Sequence, residues 1–570
     1  MKANYDAIVV GSGISGGWAA KELCEKGLKT LVLERGRSVK HLEDYPTMNL
    51  DPWDMKHGGS TTQEDLKDYN KQRRWGVNEG NRHFYNNDSE YDYEEDKPFD
   101  WIRGTQVGGR SLIWGRQTYR WSDDDFEANL RDGIAVDWPV RYKDIAPWYS
   151  YVEKFIGVSG EALNLPQLPD SEFLPPMELN CVEKELQSSI AKNYTDRVLT
   201  IGRVAHITEG AKEGAGRGKC QFRNRCDRGC PYGSYFSSNS STLPTAEKTG
   251  NLTLRPHSVV TEVLYDEKTQ KATGVRVVDS LSKEVLEFKA KVIFLCASSM
   301  ASTSILLNSK SNRFPNGLGN DSGELGHNIM DHQLGSGASG NFDGFEERYY
   351  SGRRPNGFYI PRFRNIGGKS KGVDFLRGYG YQGGAGRGNW SESIAEFGYG
   401  AEIAEFGYGA EFKNAVLKPG KWSIGMGGFG EVLPYHENRM YLDYNKIDAF
   451  GMPKIVFDAE FKENEKKMKE DWKVQAAEML ENSGCKDVAI FDSNAPIGKG
   501  IHEMGTARMG HNPKTSVLNK HNQIHSVSNV FVTDGAFMTS SGTQNPSLTY
   551  MAFTARAVNH AVSELKKMNL

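Results

Sequence analysis

The start of the chain, where an apolar run enters a glycine-rich turn, most constrains what this sequence can fold into. Residues 7–10 are apolar, and Gly11, Gly13 and Gly16 follow in the spacing Gly-x-Gly-x-x-Gly, ahead of a segment that predicts an amphipathic helix. The first glycine suits a tight turn, the second lets backbone approach a pyrophosphate, and the third allows close packing of helix on strand. The pattern predicts a strand, turn and helix that present backbone N–H groups to phosphates.

A second apolar segment gives this turn the partner that a nucleotide site needs. Residues 30–33 predict another buried strand, and it ends at Glu34. A carboxylate at that position can accept hydrogen bonds from an adenosine ribose. The two strands and the turn therefore predict a dinucleotide site in an α/β fold, although the motif by itself does not separate FAD from NAD.

Charge and hydropathy exclude two classes of protein. The 570 residues carry 70 Lys and Arg against 73 Asp and Glu, a formal net charge of -3, with the two signs interspersed. A nucleic-acid-binding surface would need a clustered basic excess, so none is expected. No apolar stretch reaches the ~18 residues that a membrane span needs, and no signal peptide precedes residue 7. The chain on its own is therefore expected in the cytoplasm, without a membrane span.

The middle of the chain predicts mostly β structure. Apolar segments at 252–256, 259–265 and 273–278 predict a small antiparallel meander that leads back to a buried parallel strand at 291–295. A charged amphipathic surface helix is predicted at 461–482.

Two shorter features lie between these elements. The paired glycines Gly108 and Gly109, ahead of Ser111, suit a second close approach of backbone to a ligand. Residues 394–411 are a tandem nonapeptide, Ile-Ala-Glu-Phe-Gly-Tyr-Gly-Ala-Glu written twice. Two copies are too few for a solenoid, so they predict a duplication within a loop or hairpin.

The C-terminal region holds three further motifs. They are His-Glu-Met-Gly-Thr-Ala-Arg-Met-Gly at 502–510, Val-Phe-Val-Thr-Asp-Gly-Ala at 530–536 and Ser-Gly-Thr-Gln-Asn-Pro-Ser-Leu-Thr at 541–549. Together with the turn at 11–16 and the paired glycines, and in this order, they closely resemble the glucose–methanol–choline (GMC) oxidoreductase family. No motif of that family is identified within 340–490.

The resemblance implies an FAD-dependent oxidoreductase of the α/β class. Its Rossmann-type FAD-binding domain would be built from discontinuous segments, and its α+β substrate domain would contain an antiparallel sheet. The FAD-binding domain is expected at 1–125, 200–335 (including a cysteine segment at 215–235) and 490–570, and the substrate-binding domain at 126–199 and 336–489.

The resemblance also implies which residues contact FAD, from the pyrophosphate to the flavin ring. They are Gly11, Gly13, Ser15 and Gly16 at the pyrophosphate, Glu34 at the ribose, Gly108, Gly109, Ser111 and Trp114 along the cofactor, Val260 near the adenine, Asp534 and Gly535 at the phosphate–ribityl portion, and Asn545 and Pro546 at the flavin. Pyranose-oxidase-like members attach FAD covalently through a histidine at the position of Ile113. We therefore expect noncovalent FAD here.

By the same resemblance the catalytic pair is His502 and Asn545. Hydride leaves a carbinol carbon readily when the hydroxyl proton is taken up, and histidine suits that task because its unperturbed pKa lies near neutrality. Neutral His502 would accept the proton while flavin N5 accepts the hydride. Asn545 would hydrogen-bond the same oxygen.

Three cysteines predict a metal site. Cys220, Cys226 and Cys230 lie in the spacing Cys-x5-Cys-x3-Cys-Pro, and soft thiolates select iron–sulfur clusters. The segment resembles bacterial FAD glucose and fructose dehydrogenase large subunits, which implies a 3Fe–4S cluster. Structural cysteines without a cluster, or zinc with a fourth ligand, are the alternatives.

The function implied is that of a sugar dehydrogenase, similar to the glucoside 3-dehydrogenases and gluconate or glucose dehydrogenase flavoprotein subunits of the family. The expected reaction oxidises a pyranose secondary hydroxyl, with C3 of a glucoside favoured and C1 or C2 next. A small helper subunit and a haem c electron acceptor are the expected partners, and export with the helper would carry the chain to the periplasm. The alternatives are a pyranose oxidase that uses oxygen and a non-catalytic electron-transfer flavoprotein.

Overall fold

The computed structural model describes residues 4–90, 92–348, 350, 357–387, 410 and 419–570. Apart from Ala410, the tandem repeat at 394–411, with its predicted loop or hairpin, lies outside the described residues.

The described residues form ten α-helices. They are α1 Ile14–Glu25, α2 Gln63–Asp68, α3 Asp123–Phe126, α4 Ala128–Asp132, α5 Tyr142–Ile156, α6 Cys181–Asn193, α7 Thr242–Lys248, α8 Ser299–Asn308, α9 Glu463–Asn482 and α10 Ser547–Lys566.

Eighteen strands lie within the same residues. They are β1 Asn4–Val10, β2 Thr30–Leu33, β3 Glu94–Glu95, β4 Thr200–Ile201, β5 Leu252–Arg255, β6 Ser258–Asp266, β7 Lys271–Asp279, β8 Val285–Leu295, β9 His332–Gln333, β10 Ser336–Phe342, β11 Phe358–Ile360, β12 Tyr379–Arg387, β13 Trp422–Glu431, β14 Arg439–Ile447, β15 Pro453–Asp458, β16 Lys486–Asp492, β17 Gln523–Ile524 and β18 Val527–Val532.

The first sheet is the parallel sheet that the glycine turn predicts. Its order is β17-β18-β8-β1-β2-β5, and the strands from β18 to β5 are parallel. Alternate residues of β1 enter different apolar clusters, because successive side chains of a strand point to opposite faces. Ala7 and Val9 pack with α1, α7 and α10, whereas Ile8 and Val10 pack with the meander and α8. Both faces are covered, which explains the continuous apolar runs.

The predicted meander is confirmed for the segments at 259–265 and 273–278. The segment at 252–256 is a correction: it forms β5, which pairs parallel with β2 at the edge of the first sheet, and the first half of β8 takes its place in the meander. Strand β6 pairs antiparallel with β7, and β7 pairs antiparallel with the first half of β8. The second half of β8 then pairs parallel with β1, so one strand passes from the meander into the parallel sheet.

The second sheet is antiparallel and lies under α9. Its order is β16-β10-β13-β12-β11-β4, with β9 paired to β13. The indole of Trp472, fully buried on α9, donates from Nε1 to Ser336 Oγ at 2.9 Å. A Cβ at Gly428 or Gly430 would lie 2.6 or 2.4 Å from that indole, so both glycines are needed to seat the helix. The predicted surface helix at 461–482 is thus confirmed, with its apolar face turned to a sheet.

The predicted domain bounds stay a prediction.

A third, small sheet has the strand order β14-β15-β3. Helix α5 packs against α10, where the hydroxyl groups of Tyr149 and Thr549 are 2.8 Å apart. Every helix within the described residues is too short or too polar to cross a bilayer.

Candidate active site

A cavity of about 690 Å³ opens where the parallel strands of the first sheet end. Strands β1, β2, β8 and β18 run in the same direction, so the residues that follow them share one edge of the sheet. That edge is the usual ligand site of open α/β sheets. Twelve of the predicted site residues line the cavity: Gly11, Gly13, Ser15, Glu34, Gly109, Ser111, Trp114, Val260, His502, Asp534, Gly535 and Asn545. Gly16, Gly108 and Pro546 adjoin lining residues in sequence but do not themselves line it.

The glycine turn is built as its spacing predicts. Gly11 has φ of 94°, and a Cβ on Gly16 would lie 1.9 Å from the carbonyl oxygen of Gly11. A Cβ on Gly13 would meet no described atom within 4 Å, because that position faces the cavity. Gly13 also caps α1 without a side-chain hydrogen bond, and no acidic residue lies in the first turn. The amides at this end of α1 are therefore available to an anion.

Glu34 ties the second strand to the turn. Its Oε2 accepts from the backbone N–H of Ser12 at 3.1 Å and from Ser12 Oγ at 2.5 Å, while Oε1 accepts from the N–H of Gly36 at 3.0 Å. Burial raises the pKa of this carboxyl, and the hydrogen bonds oppose that rise. The carboxyl is thus held in one orientation at the cavity wall.

The paired-glycine segment is joined to the same turn. The N–H of Gly108 donates to Ser12 Oγ at 3.0 Å, so one hydroxyl connects the two segments. Ser111 Oγ donates to the carbonyl of Gly108 at 2.6 Å, and the Trp114 indole donates to the carbonyl of Phe236 at 2.9 Å. These contacts hold the wall on either side of Ile113, which also lines the cavity.

Asp534 and Gly535 follow the end of β18. Asp534 Oδ1 accepts from the N–H of Ala536 at 3.1 Å, and Oδ2 accepts from the hydroxyl of Ser302. Burial raises the pKa of Asp534 to about 6. A Cβ on Gly535 would lie 2.2 Å from the carbonyl oxygen of Glu503, so this strand end and the His502 segment approach as closely as backbone allows.

His502 and Asn545 face each other on the cavity wall. Asn545 Nδ2 is 3.5 Å from His502 Nε2, and both side chains are less than a tenth exposed. Burial lowers the pKa of His502 well below its usual value, and the neighbouring His332 and Arg110 lower it further. His502 is therefore a neutral imidazole near pH 7.

Two residues behind this pair were missed by the sequence reasoning. His332 Nδ1 is 2.8 Å from His502 Nδ1, and Gln382 Nε2 donates to Asn545 Oδ1 at 2.7 Å. Asp331 Oδ1 accepts from the backbone N–H of His502 at 2.9 Å and so holds the segment that carries His502. His332 and Gln382 lie on β9 and β12, far from the motifs in sequence, and no pattern around them marks a site.

A charged pair completes the wall next to His502. Arg110 Nη2 is 2.7 Å from Glu503 Oε2, and Nη1 is 3.1 Å from Oε1, a two-point contact between guanidinium and carboxylate. Both residues line the cavity. The pair holds the paired-glycine segment against the C-terminal segment that carries His502.

The cavity residues fit FAD. Helix α10, like α1, begins at the cavity without a side-chain cap or an acidic residue in its first turn. Within the described part of the chain, the buried hydroxyl of Tyr550 lines the cavity with no hydrogen-bond partner. Two helix N-termini, an unpaired hydroxyl and the Glu34 carboxyl are the groups that a dinucleotide satisfies. The individual contacts assigned from sequence stay predictions.

The predicted metal site stays a prediction. Among the residues that the structure describes, no group of three or more His, Cys, Asp or Glu side chains is arranged to hold a metal ion. Cys220, Cys226 and Cys230 are free thiols, and burial raises the pKa of Cys226 to about 12. The Cys226 thiol interacts electrostatically with the thiols of Cys220 and Cys230, so the three side chains are neighbours. The 3Fe–4S cluster, structural cysteines without a cluster, and zinc with a fourth ligand all stay predictions.

Comparison with known proteins decides the family. The models of the N-terminal and C-terminal halves of the GMC oxidoreductases match residues 5–334 and 434–554. The chain belongs to the GMC oxidoreductase family. A GMC oxidoreductase of this kind is an FAD-dependent enzyme that acts on hydroxyl groups of alcohols or sugars.

Curated relatives of this GMC oxidoreductase match over nearly their whole length. It is 27% identical to 2-methyl-1,2-propanediol dehydrogenase of Mycolicibacterium austroafricanum, covering 97% of this chain and 94% of the relative. It is 24% identical to the fructose dehydrogenase large subunit of Gluconobacter japonicus, covering 99% and 98%. The crystal structure of pyridoxine 4-oxidase from Mesorbium loti has a TM-score of 0.59 at 14% identity, covering 98% and 99%, and so shares the GMC fold.

Proposed function

We propose that the chain is a dehydrogenase that oxidises a secondary hydroxyl of a pyranose to a carbonyl, with C3 of a glucoside favoured and C1 or C2 as alternatives. The proposal rests on the pair of nitrogen atoms, His502 Nε2 and Asn545 Nδ2, that face each other at 3.5 Å on the cavity wall. A single alcohol oxygen can contact both. The relative named fructose dehydrogenase large subunit supports a sugar, and the resemblance in sequence supports the carbon position.

His502 acts as the base in this proposal. A base must be unprotonated when substrate arrives, and burial keeps the pKa of His502 well below neutrality. Its Nε2 accepts the hydroxyl proton, while Asn545 Nδ2 donates a hydrogen bond to the oxygen and holds it in line. Bound FAD supplies the acceptor for the hydride that leaves the carbinol carbon.

The substrate side of the cavity comes from the second sheet. Gln382 on β12 and Phe429 on β13 line the cavity close to the catalytic pair, with Phe429 also packed edge-on against His332. Trp75 and Trp101 line it as well. Aromatic faces with a few polar groups suit a sugar ring, which has apolar C–H faces and a polar rim.

Electrons are proposed to leave for an external acceptor, a cytochrome or quinone. The relative named large subunit supports partner subunits for this chain too. A helper subunit and a haem c protein are the partners that the sequence resemblance implies, with export to the periplasm only in their company.

The experiment is a visible spectrum of the purified holoenzyme before and after anaerobic addition of a panel of sugars, methyl glucosides and simple diols. A glycoside that bleaches the flavin, with its 3-keto product identified by NMR, supports the proposal. A flavin that only diols bleach would reject the sugar assignment. A flavin that stays oxidised with every alcohol would favour the non-catalytic alternative.

The acceptor is tested with the same protein. Turnover with an artificial one-electron acceptor but not with oxygen supports a dehydrogenase. Rapid turnover with oxygen, with stoichiometric peroxide, would instead identify an oxidase.

A further inference from the structure

The contact between His332 and His502 joins two ring nitrogen atoms, so one of the two must carry the hydrogen that lies between them. The Nδ1 atoms of the two rings are 2.8 Å apart, and both rings are buried. At that distance one nitrogen donates and the other accepts. Which of them carries the hydrogen decides the protonation of the opposite nitrogen of His502, the one at the cavity.

A backbone carbonyl settles the direction. His332 Nε2 is 2.5 Å from the carbonyl oxygen of Gly542, and a carbonyl can only accept. His332 Nε2 must therefore carry hydrogen. Burial lowers the pKa of His332 to about 4, so the ring is neutral and its Nδ1 bears a lone pair. His502 Nδ1 must then be the donor in the contact between the rings.

We propose that His332 is a positioning residue that holds His502 in the Nδ1–H tautomer, leaving Nε2 bare toward Asn545 and the cavity. The inference rests on the proposed function, because it assigns the form in which His502 can take a hydroxyl proton. Without His332, an isolated imidazole could place its hydrogen on Nε2, where it would block proton uptake.

The same direction continues through the amides. A bare His502 Nε2 requires Asn545 to present its Nδ2 there, which leaves Asn545 Oδ1 to accept from Gln382 Nε2 at 2.7 Å. Each hydrogen bond thus donates in the same direction, from Gln382 through Asn545 and the two imidazoles to the carbonyl of Gly542. One backbone carbonyl fixes the orientation of two rings and one amide.

The absence of a charge on His332 also affects the pKa of His502. A carboxylate bonded to the base would stabilise its protonated form and raise its pKa. A neutral imidazole orients His502 equally well without that effect, and the nearby charge of Arg110 lowers the pKa of His502. The base is both oriented and kept unprotonated.

The direct test is neutron diffraction from crystals of the holoenzyme grown in D₂O. We expect deuterium on His502 Nδ1 and on His332 Nε2, with none on His502 Nε2. Deuterium on His502 Nε2, or on His332 Nδ1, would overturn the inference. The measurement uses the unaltered protein, so it does not depend on the folding of any variant.

The kinetic test compares two substitutions at one position. His332→Leu removes the acceptor, and we expect anaerobic flavin reduction by a glycoside to slow by ~10²-fold, as when a general base loses its function. The sugar concentration for half-maximal rate should stay the same. His332→Asn restores an acceptor oxygen near the position of Nδ1 and should recover most of the rate. Equal rates for wild type and the leucine variant, or no recovery with asparagine, would contradict a positioning role.

Two controls separate this inference from the proposed function. His525→Leu changes a half-buried histidine that does not line the cavity, and the rate should be unchanged. His502→Ala should be slow in every case. If His502→Ala is slow while His332→Leu is normal, only the role of His332 fails; if His502→Ala reacts normally, the proposed function itself fails.

Discussion

Replacing Gln382 by glutamate reverses one hydrogen bond without changing the size of the side chain. In the wild type, Gln382 Nε2 donates to Asn545 Oδ1, which leaves Asn545 Nδ2 facing His502 and the cavity. Gln382→Glu puts a carboxylate where that donor was. Because the carboxylate only accepts, we expect the Asn545 amide to rotate so that Nδ2 turns to residue 382 and Oδ1 faces the substrate oxygen.

The expected fall in the rate of flavin reduction follows from the hydrogen-bond donor that the reacting oxygen loses. Loss of one donor at a developing oxyanion costs about 2.7–4 kcal/mol, or ~10²–10³ in rate. Gln382→Leu removes only a neutral hydrogen bond worth about 0.5–1.5 kcal/mol, so its rate should fall by no more than about 10-fold. The predicted order of flavin reduction is wild type, then leucine, then glutamate.

Anaerobic stopped-flow reduction of the flavin at saturating sugar measures this order. The double variant Gln382→Glu, Asn545→Ala serves as the control, because the amide that glutamate turns is already absent. It should react no more slowly than Asn545→Ala alone, a coupling that a cycle of single and double variants reveals. A glutamate variant as fast as the leucine variant would refute the assigned orientation of Asn545.

Three further predictions concern binding, stability and metal content. Gly13→Val should leave the apoprotein folded, since a Cβ there meets no described atom within 4 Å, but should abolish FAD binding; FAD content and apoprotein melting together measure this, and a variant that retains FAD would contradict it. Trp472→Ala should lower the free energy of unfolding by about 3–5 kcal/mol, because it leaves a cavity in the core and removes the hydrogen bond to Ser336. Denaturant titration measures this loss, and a clearly smaller value would contradict the prediction. If the three cysteines ligate a 3Fe–4S cluster, Cys226→Ser should lose iron and turnover with the external acceptor while sugar still reduces the flavin; iron content that the substitution leaves unchanged would reject the cluster.

The first sheet could be predicted from sequence because its signals are local. The Gly11 turn, the strand that ends at Glu34 and the meander each lie within a short segment, and buried parallel strands are continuously apolar. The structure keeps the turn and the strand, and it keeps the meander apart from 252–256, which pairs parallel with β2. One strand, β8, joins the meander to the sheet.

The second sheet could not be predicted in the same way. Strand β13 reads Trp-Ser-Ile-Gly-Met-Gly-Gly-Phe-Gly-Glu, and such glycine content is typical of loops. Two of the glycines, Gly428 and Gly430, are needed because Trp472, some forty residues later in the chain, occupies the space of their side chains. That reason depends on how α9 packs against the sheet, so it cannot be read from the sequence of β13.

The same limit applies to the site. Sequence motifs marked His502 and Asn545, but the supporting His332 and Gln382 lie in segments without a motif and reach the pair through tertiary structure. The cysteine spacing has a related limit, since ligand spacing along a chain does not by itself show that a metal is bound.

The central claim, that His502 Nε2 takes the hydroxyl proton, is tested most directly by the pH dependence of anaerobic flavin reduction in wild type and His502→Ala. Since the pKa of His502 is lowered well below 6.5, the wild-type rate should stay constant from pH 8 to pH 6 and fall only at lower pH, where the base becomes protonated. His502→Ala, with FAD still bound, should be at least ~100-fold slower at every pH in that range. A variant that reduces its flavin at nearly the wild-type rate would contradict the claim.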